Sequence, residues 1–199
     1  MTEETKLDSD PEFEEFRAFV MDLIGESDRA AVILGVAKID TQLYQILQKV
    51  LVPCASGRDE LLDGDSPLSS FHSRIHLIYR LGLIDRQFAW ALHSIRKIRN
   101  AFAHELAGVN LVTGPQRDRI RELAARLKAQ DGWNEFKKII QEKAKLEEAS
   151  ADFRAVVAHI SVRLHRLFVT CQTQTTENAI TWIRTPSTNS VEKTEGDEK

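Results

Sequence analysis

The sequence predicts an all-α fold: a single compact domain of about six to seven helices. Apolar residues recur at spacings of three and four, the period of an amphipathic helix, and alternating strand-like runs are scarce. Capping residues and glycine or proline breaks then cut the 199-residue chain into pieces of helix length.

A first helix is expected over Glu12 to Ile24, stopped by Gly25. Ser27 can cap a long second helix from Asp28 to about Leu51, with Asp28 favouring the positive helix end and Pro53 closing it off. Residues 53–67 hold two glycines, two prolines and four acids and read as a loop. A third helix starts near Pro67 to Ser70 and ends at Leu81, with Gly82 just past its end. Asp85 is the N-cap expected for a fourth helix reaching about Ala103. After a loop from Gly108 to Pro115, a fifth helix is expected over Gln116–Gln130 and, past the Asp131-Gly132 break, a sixth over Trp133–Glu148. A last long helix covers Ala151 to about Cys171. The domain division expected is an acidic flexible stretch at 1–11, the helical domain at 12–184, and a polar, disordered tail at 185–199.

Composition narrows the class. Hydrophobic residues make up 42% and charged residues 29%, the balance of a globular chain. No stretch reads as about eighteen uninterrupted apolar residues, so no membrane span is expected. The acidic start argues against a targeting peptide, and the two cysteines, Cys54 and Cys171, fit a reducing cytoplasm. Net charge is −3, unevenly spread: residues 1–28 carry ten acids against two bases, while residues 29–184 are mildly basic. With no concentrated Lys/Arg run, ordinary solvation of helix faces is the simpler reading, ahead of a nucleic-acid surface.

Three charges sit on apolar faces. With Phe88 set at zero, Ala91, Leu92, Ile95, Ile98, Phe102 and Ala103 fall within roughly 80° of it, and Arg99 at about 20°. Asp40 shares an arc with Val36, Ala37, Leu43, Tyr44, Leu47 and Leu51, and Arg74 one with Phe71, Ile75, Leu77, Ile78 and Leu81. Because a lone buried charge is costly, Asp40, Arg74 and Arg99 are expected to form a buried polar cluster in which Asp40 meets one arginine or both. His93, Lys97, Asn100 and His104 fall on the opposite side of the fourth helix, a stripe that suits a partner or a second copy of the chain.

Several segments together resemble the mannitol operon repressor family. They are Ser27-Asp28-Arg29-Ala30-Ala31, Pro67-Leu68-Ser69-Ser70-Phe71 with Arg74-Ile75, Leu81-Gly82-Leu83-Ile84, and Arg96-Lys97-Ile98-Arg99-Asn100-x-Phe102-Ala103-His104. The likeness covers about residues 15–170 and implies an all-helical bacterial protein tied to transcriptional control of sugar-alcohol uptake. A second likeness overlaps it: Arg99-Asn100-x-x-x-His104 resembles the signature of HEPN domains, which include metal-independent ribonucleases. That resemblance implies a site of Arg99, Asn100 and His104, the imidazole moving protons and the guanidinium holding phosphate. On a regular helix Arg99 and His104 point about 140° apart, which favours the regulatory reading.

Other chemistry is thin. His72 and His76 have the i,i+4 spacing of metal ligands, but no third ligand is visible and no metal or other cofactor is expected. Phosphate loops, a dinucleotide fingerprint and a nucleophile elbow are missing. His159 and His165 are expected on the polar side of the last helix beside Arg163 and Arg166. The short turn at Gly82 offers one helix-turn-helix candidate, with Arg86, Gln87 and Trp90 facing out, yet its helix supplies core residues and the pI is about 6.1. Direct sequence-specific DNA binding is therefore not expected, and action through protein partners or self-association is.

Overall fold

A computed structural model of the chain describes residues 11–176 except Ser56, Leu106, Ala107 and Asp131. The fold is all-α. Among the described residues there are seven helices and no strand: α1 (Pro11–Gly25), α2 (Asp28–Val50), α3 (Phe71–Arg80), α4 (Arg86–His104), α5 (Gly114–Leu127), α6 (Trp133–Lys143) and α7 (Glu148–Thr170). The acidic segment up to residue 10 and the tail at 185–199 lie outside the described residues.

The helix starts follow their caps. Ser27 Oγ accepts from the Ala30 amide, Ser70 Oγ from Ser73 at 3.0 Å and Asp85 Oδ1 from Phe88 at 2.7 Å, each satisfying an amide that the helix leaves without a partner. At the end of α3, Gly82 adopts a left-handed φ of 72°. Its amide donates to Tyr79 O and that of Leu83 to Ile78 O, the two bonds of a Schellman ending. The result is a tight turn that folds α4 back beside α3.

Some boundaries differ from expectation. α6 stops at Lys143, where Ala144 is already extended, and α7 begins at Glu148. Lys143 in the last turn of one helix and Glu148 in the first turn of the next both suit the helix dipoles, and they set the break a few residues before the one expected between Glu148 and Ala151. α5 begins at Gly114, led in by Asn110, whose Oδ1 accepts from the Val112 and Thr113 amides.

α2 is the centre of the fold. It packs against α7 on one side and the α3–α4 pair on the other, while α5 and α6 cover α7. Contacts pair Asp28 with Ser150, Gln42 with Ser161 and Lys49 with Phe168, so α2 and α7 run parallel. They approach closely at Gly35, where a Cβ would meet both Val157 methyls at 3.1 Å. α2 therefore buries more than the arc read from sequence: Ala31, Val32, Ile39, Ile46 and Val50 are core residues too, and Ala37 is exposed. By length and mean hydropathy this helix could cross a membrane, and half of that apolar stretch is buried in the core. Neither cysteine is in a disulfide.

Candidate functional site

Two of the motif-bearing segments meet at the end of α4. Arg29, in the first turn of α2, donates from its guanidinium to the carbonyls of Phe102 and Glu105, the latter at 2.9 Å. Its charged carbon also lies over the Phe102 ring, 5.8 Å from the centroid. These are carbonyls that the helix itself cannot satisfy, so an arginine here both caps α4 and fixes it against α2. The Ser27-Asp28-Arg29 segment and the Arg96–His104 segment thus act on one joint.

α4 stays helical through His104. Arg99 and His104 consequently project about 140° apart, one half-buried and the other exposed. Within one chain, Arg99, Asn100 and His104 are not brought to a common point. The stripe of His93, Lys97, Asn100 and His104 keeps to the side away from the core: Lys97 and His104 are exposed, His93 and Asn100 half-buried.

The upper end of that stripe meets a second group. His93 lies beside His72 and His76 of α3, with ring centroids 4.4–5.3 Å apart across the three pairs. One nitrogen from each ring can be chosen so that all three lie within 4.8 Å of one another. The third imidazole that spacing on α3 does not supply thus comes from α4. The signal for it was the short turn at Gly82: it makes α3 and α4 neighbours, and His72 and His93 stand at similar distances before and after the turn. Burial first, then the adjacent His76, His72, Arg96 and Lys97 charges, push His93 down to about 4. His72 is also lowered, by burial, His76 and Arg96. At neutral pH these two rings are neutral and carry a free lone pair.

The expected polar cluster forms only in part. Arg74 Nη1 and Asp40 Oδ1 pair at 2.8 Å, and Arg74 Nε also donates to Leu68 O at 3.0 Å. Arg99 is not a member and makes no ion pair with Asp40. On the wheel Arg99 falls between the buried Leu92 and Ile95, so it starts from the apolar arc, but the residue is only half-buried, as a long side chain carrying its charge out of that arc would be. The most buried charge among the described residues is one that the sequence did not reveal. Arg154, 1% exposed, donates to Asp28 Oδ1 at 3.0 Å and to the carbonyls of Leu23, Glu26 and Ser150. On the same helix Asp152 pairs with Lys137 at 2.7 Å. His159 is buried rather than on a polar side, because α5 and α6 both cover α7.

The helix-turn-helix candidate is compromised by its own neighbours. Arg86 and Gln87 are exposed, but Trp90 is half-buried, with the Arg126 guanidinium 4.0 Å from its ring centroid. A groove of about 490 Å³ between α5 and the start of α7 sets Arg117, Arg121 and Lys128 against Glu147, Glu148 and Asp152, charges that largely offset one another. No family model, curated protein or solved structure matches the chain.

Proposed function

We propose that the chain is a transcription-regulator-like interaction protein of the kind the mannitol repressor resemblance implies, working in the cytoplasm through protein partners or a second copy of itself. The observation that carries this reading is the stripe of Lys97, Asn100 and His104 on a helix whose end Arg29 pins from α2. A surface held rigid before association loses little conformational freedom on binding. Amide and imidazole groups also tolerate partial dehydration better than a row of full charges. Base readout is disfavoured because the α4 start is engaged inside the molecule, Trp90 with Arg126.

The test is the double variant Lys97→Glu with His104→Glu, which alters two exposed side chains and leaves the three-histidine cluster intact. The expected result is a folded protein by circular dichroism with a smaller particle mass by light scattering, or derepression of a mannitol-inducible reporter in cells. Wild-type mass together with wild-type repression would sink the proposal, as would nanomolar, sequence-selective DNA binding by the purified chain at physiological salt. A ribonuclease using Arg99, Asn100 and His104 would cut RNA without added metal and lose this with His104→Ala.

A further inference from the structure

His72 and His76 are one turn apart on the same face of α3, and His93 reaches them from α4. We propose that these three histidines bind a divalent transition-metal ion of the zinc class through one nitrogen each, with a remaining coordination position open to solvent. Tetrahedral zinc with nitrogens at about 2.0–2.1 Å places neighbouring ligand atoms about 3.3 Å apart. The nitrogens within 4.8 Å must therefore close by roughly an ångström or more. His72 and His76 are exposed, and among the described residues no hydrogen bond ties any of the three rings elsewhere, so rotation of side chains alone achieves this.

The donor set selects the ion. Three imidazoles with no carboxylate among them suit zinc, cobalt, nickel or copper and not magnesium or calcium, which require oxygen. Arg96 and Lys97 flank the cluster, so its surroundings are positive before any metal arrives. The open position consequently favours an anionic fourth ligand, a carboxylate or phosphate oxygen, over a neutral one. An ion held in this way clips α3 to α4 across the Gly82 turn. This site stands apart from the regulatory proposal: it uses His93 but neither Lys97 nor His104 as a ligand.

The experiment titrates metal-free protein with Zn²⁺ by calorimetry and with Co²⁺ by visible absorption near neutral pH. One Zn²⁺ per chain is expected, with micromolar or tighter affinity and a Co²⁺ spectrum showing d–d bands of imidazole ligation. His93→Ala and His76→Gln should each weaken binding by more than about tenfold, since losing a ligand exceeds losing a supporting residue. His76 is exposed, so His76→Gln carries the test even if His93→Ala misfolds. Cys54→Ser, which removes an exposed thiol, should bind as wild type. Absence of saturable binding, wild-type affinity in the histidine variants, or loss of binding in Cys54→Ser would overturn the site. Binding of inorganic phosphate without metal, lost in the same variants, would make it an anion site instead and equally overturn the proposal.

Discussion

Arg74 and Arg154 both tie a helix to α2, one on each side of it, and they do so in different surroundings. Arg74 reaches Asp40 near the edge of the α3–α4 side, where the carboxylate side chain is 28% exposed. Arg154 lies inside the α2–α7 contact with four acceptors: Asp28, the Leu23 and Glu26 carbonyls at the α1–α2 turn, and the Ser150 carbonyl one turn back on α7. An exposed pair trades one set of hydrogen bonds for water and loses little when broken. A buried arginine that has replaced water for several groups at once has no such recourse. The two sides of one helix therefore put the same residue type to unequal use.

The largest effect expected from this contrast is that of Arg154→Leu. It removes the donor to the Leu23 and Glu26 carbonyls and leaves Asp28 with the Ser150 hydroxyl but no cation, at a cost of about 3–5 kcal/mol in urea unfolding. That is a large share of the roughly 5–15 kcal/mol that domains possess, so low soluble yield is part of the prediction. Asp28→Ala should cost less, about 1–2 kcal/mol, because Arg154 keeps its three carbonyl acceptors. If the two variants were equal, the carbonyls would carry no weight and Arg154 would be a simple ion pair like Arg74.

His159 extends the contrast to pH. It is buried on α7, its Nε2 has no hydrogen-bond partner among the described residues, and its ring meets Phe136 edge-on. Burial foremost, then Arg163 and Arg166, hold it at about 4, below its ordinary 6.5. The unfolded chain takes up a proton at 6.5 while the folded one resists, so the fold keeps its full advantage above 6.5 and loses it as pH falls toward 4. His93 acts in the same direction, so the wild-type slope is a composite. His159→Leu should therefore flatten the fall of Tm between pH 6.5 and 4 without abolishing it. An unchanged slope would mean that water reaches the ring in solution.

These two sides also differed in how far they could be read in the sequence. On α3 and α4 one face is wet, so the periodicity separated core from surface, and Ser70, Gly82 and Asp85 marked the ends by chemistry that acts within a few residues. Arg74 was found there as a charge on an apolar arc. From Ala149 through Ser161, α7 is buried on every side, and a helix without a wet face has no arc against which Arg154 or His159 could stand out. The three-histidine cluster failed for another reason. His72 and His76 lie on the outer side of α3 and His93 on that of α4, and a wheel drawn for each helix separately cannot show that two outer sides adjoin. Arg99 does start from the apolar arc of α4, between Leu92 and Ile95, but a wheel gives only the direction in which a side chain leaves the helix, and a long one can carry its charge back out of that arc.

The smallest effects belong to that arginine, and they sharpen the comparison most. Asp40→Ala breaks a pair in which both side chains keep some access to water, and should cost about 1 kcal/mol or less. Arg74→Leu should cost somewhat more, since it also abandons the Leu68 carbonyl and a position over the Tyr44 ring, 5.1 Å from its centroid. Arg99→Leu strands no carboxylate among the described residues and replaces one half-buried side chain by another, so it should stay within about 0.5 kcal/mol of wild type. A double-mutant cycle separates the cases. Coupling of about 0.5–1 kcal/mol is expected between Asp40 and Arg74, and none beyond error between Asp40 and Arg99. Matched coupling to both arginines would restore a three-membered cluster in solution, with the Arg99 guanidinium turned to Asp40. The urea midpoint, read at constant slope, is the measurement that decides it.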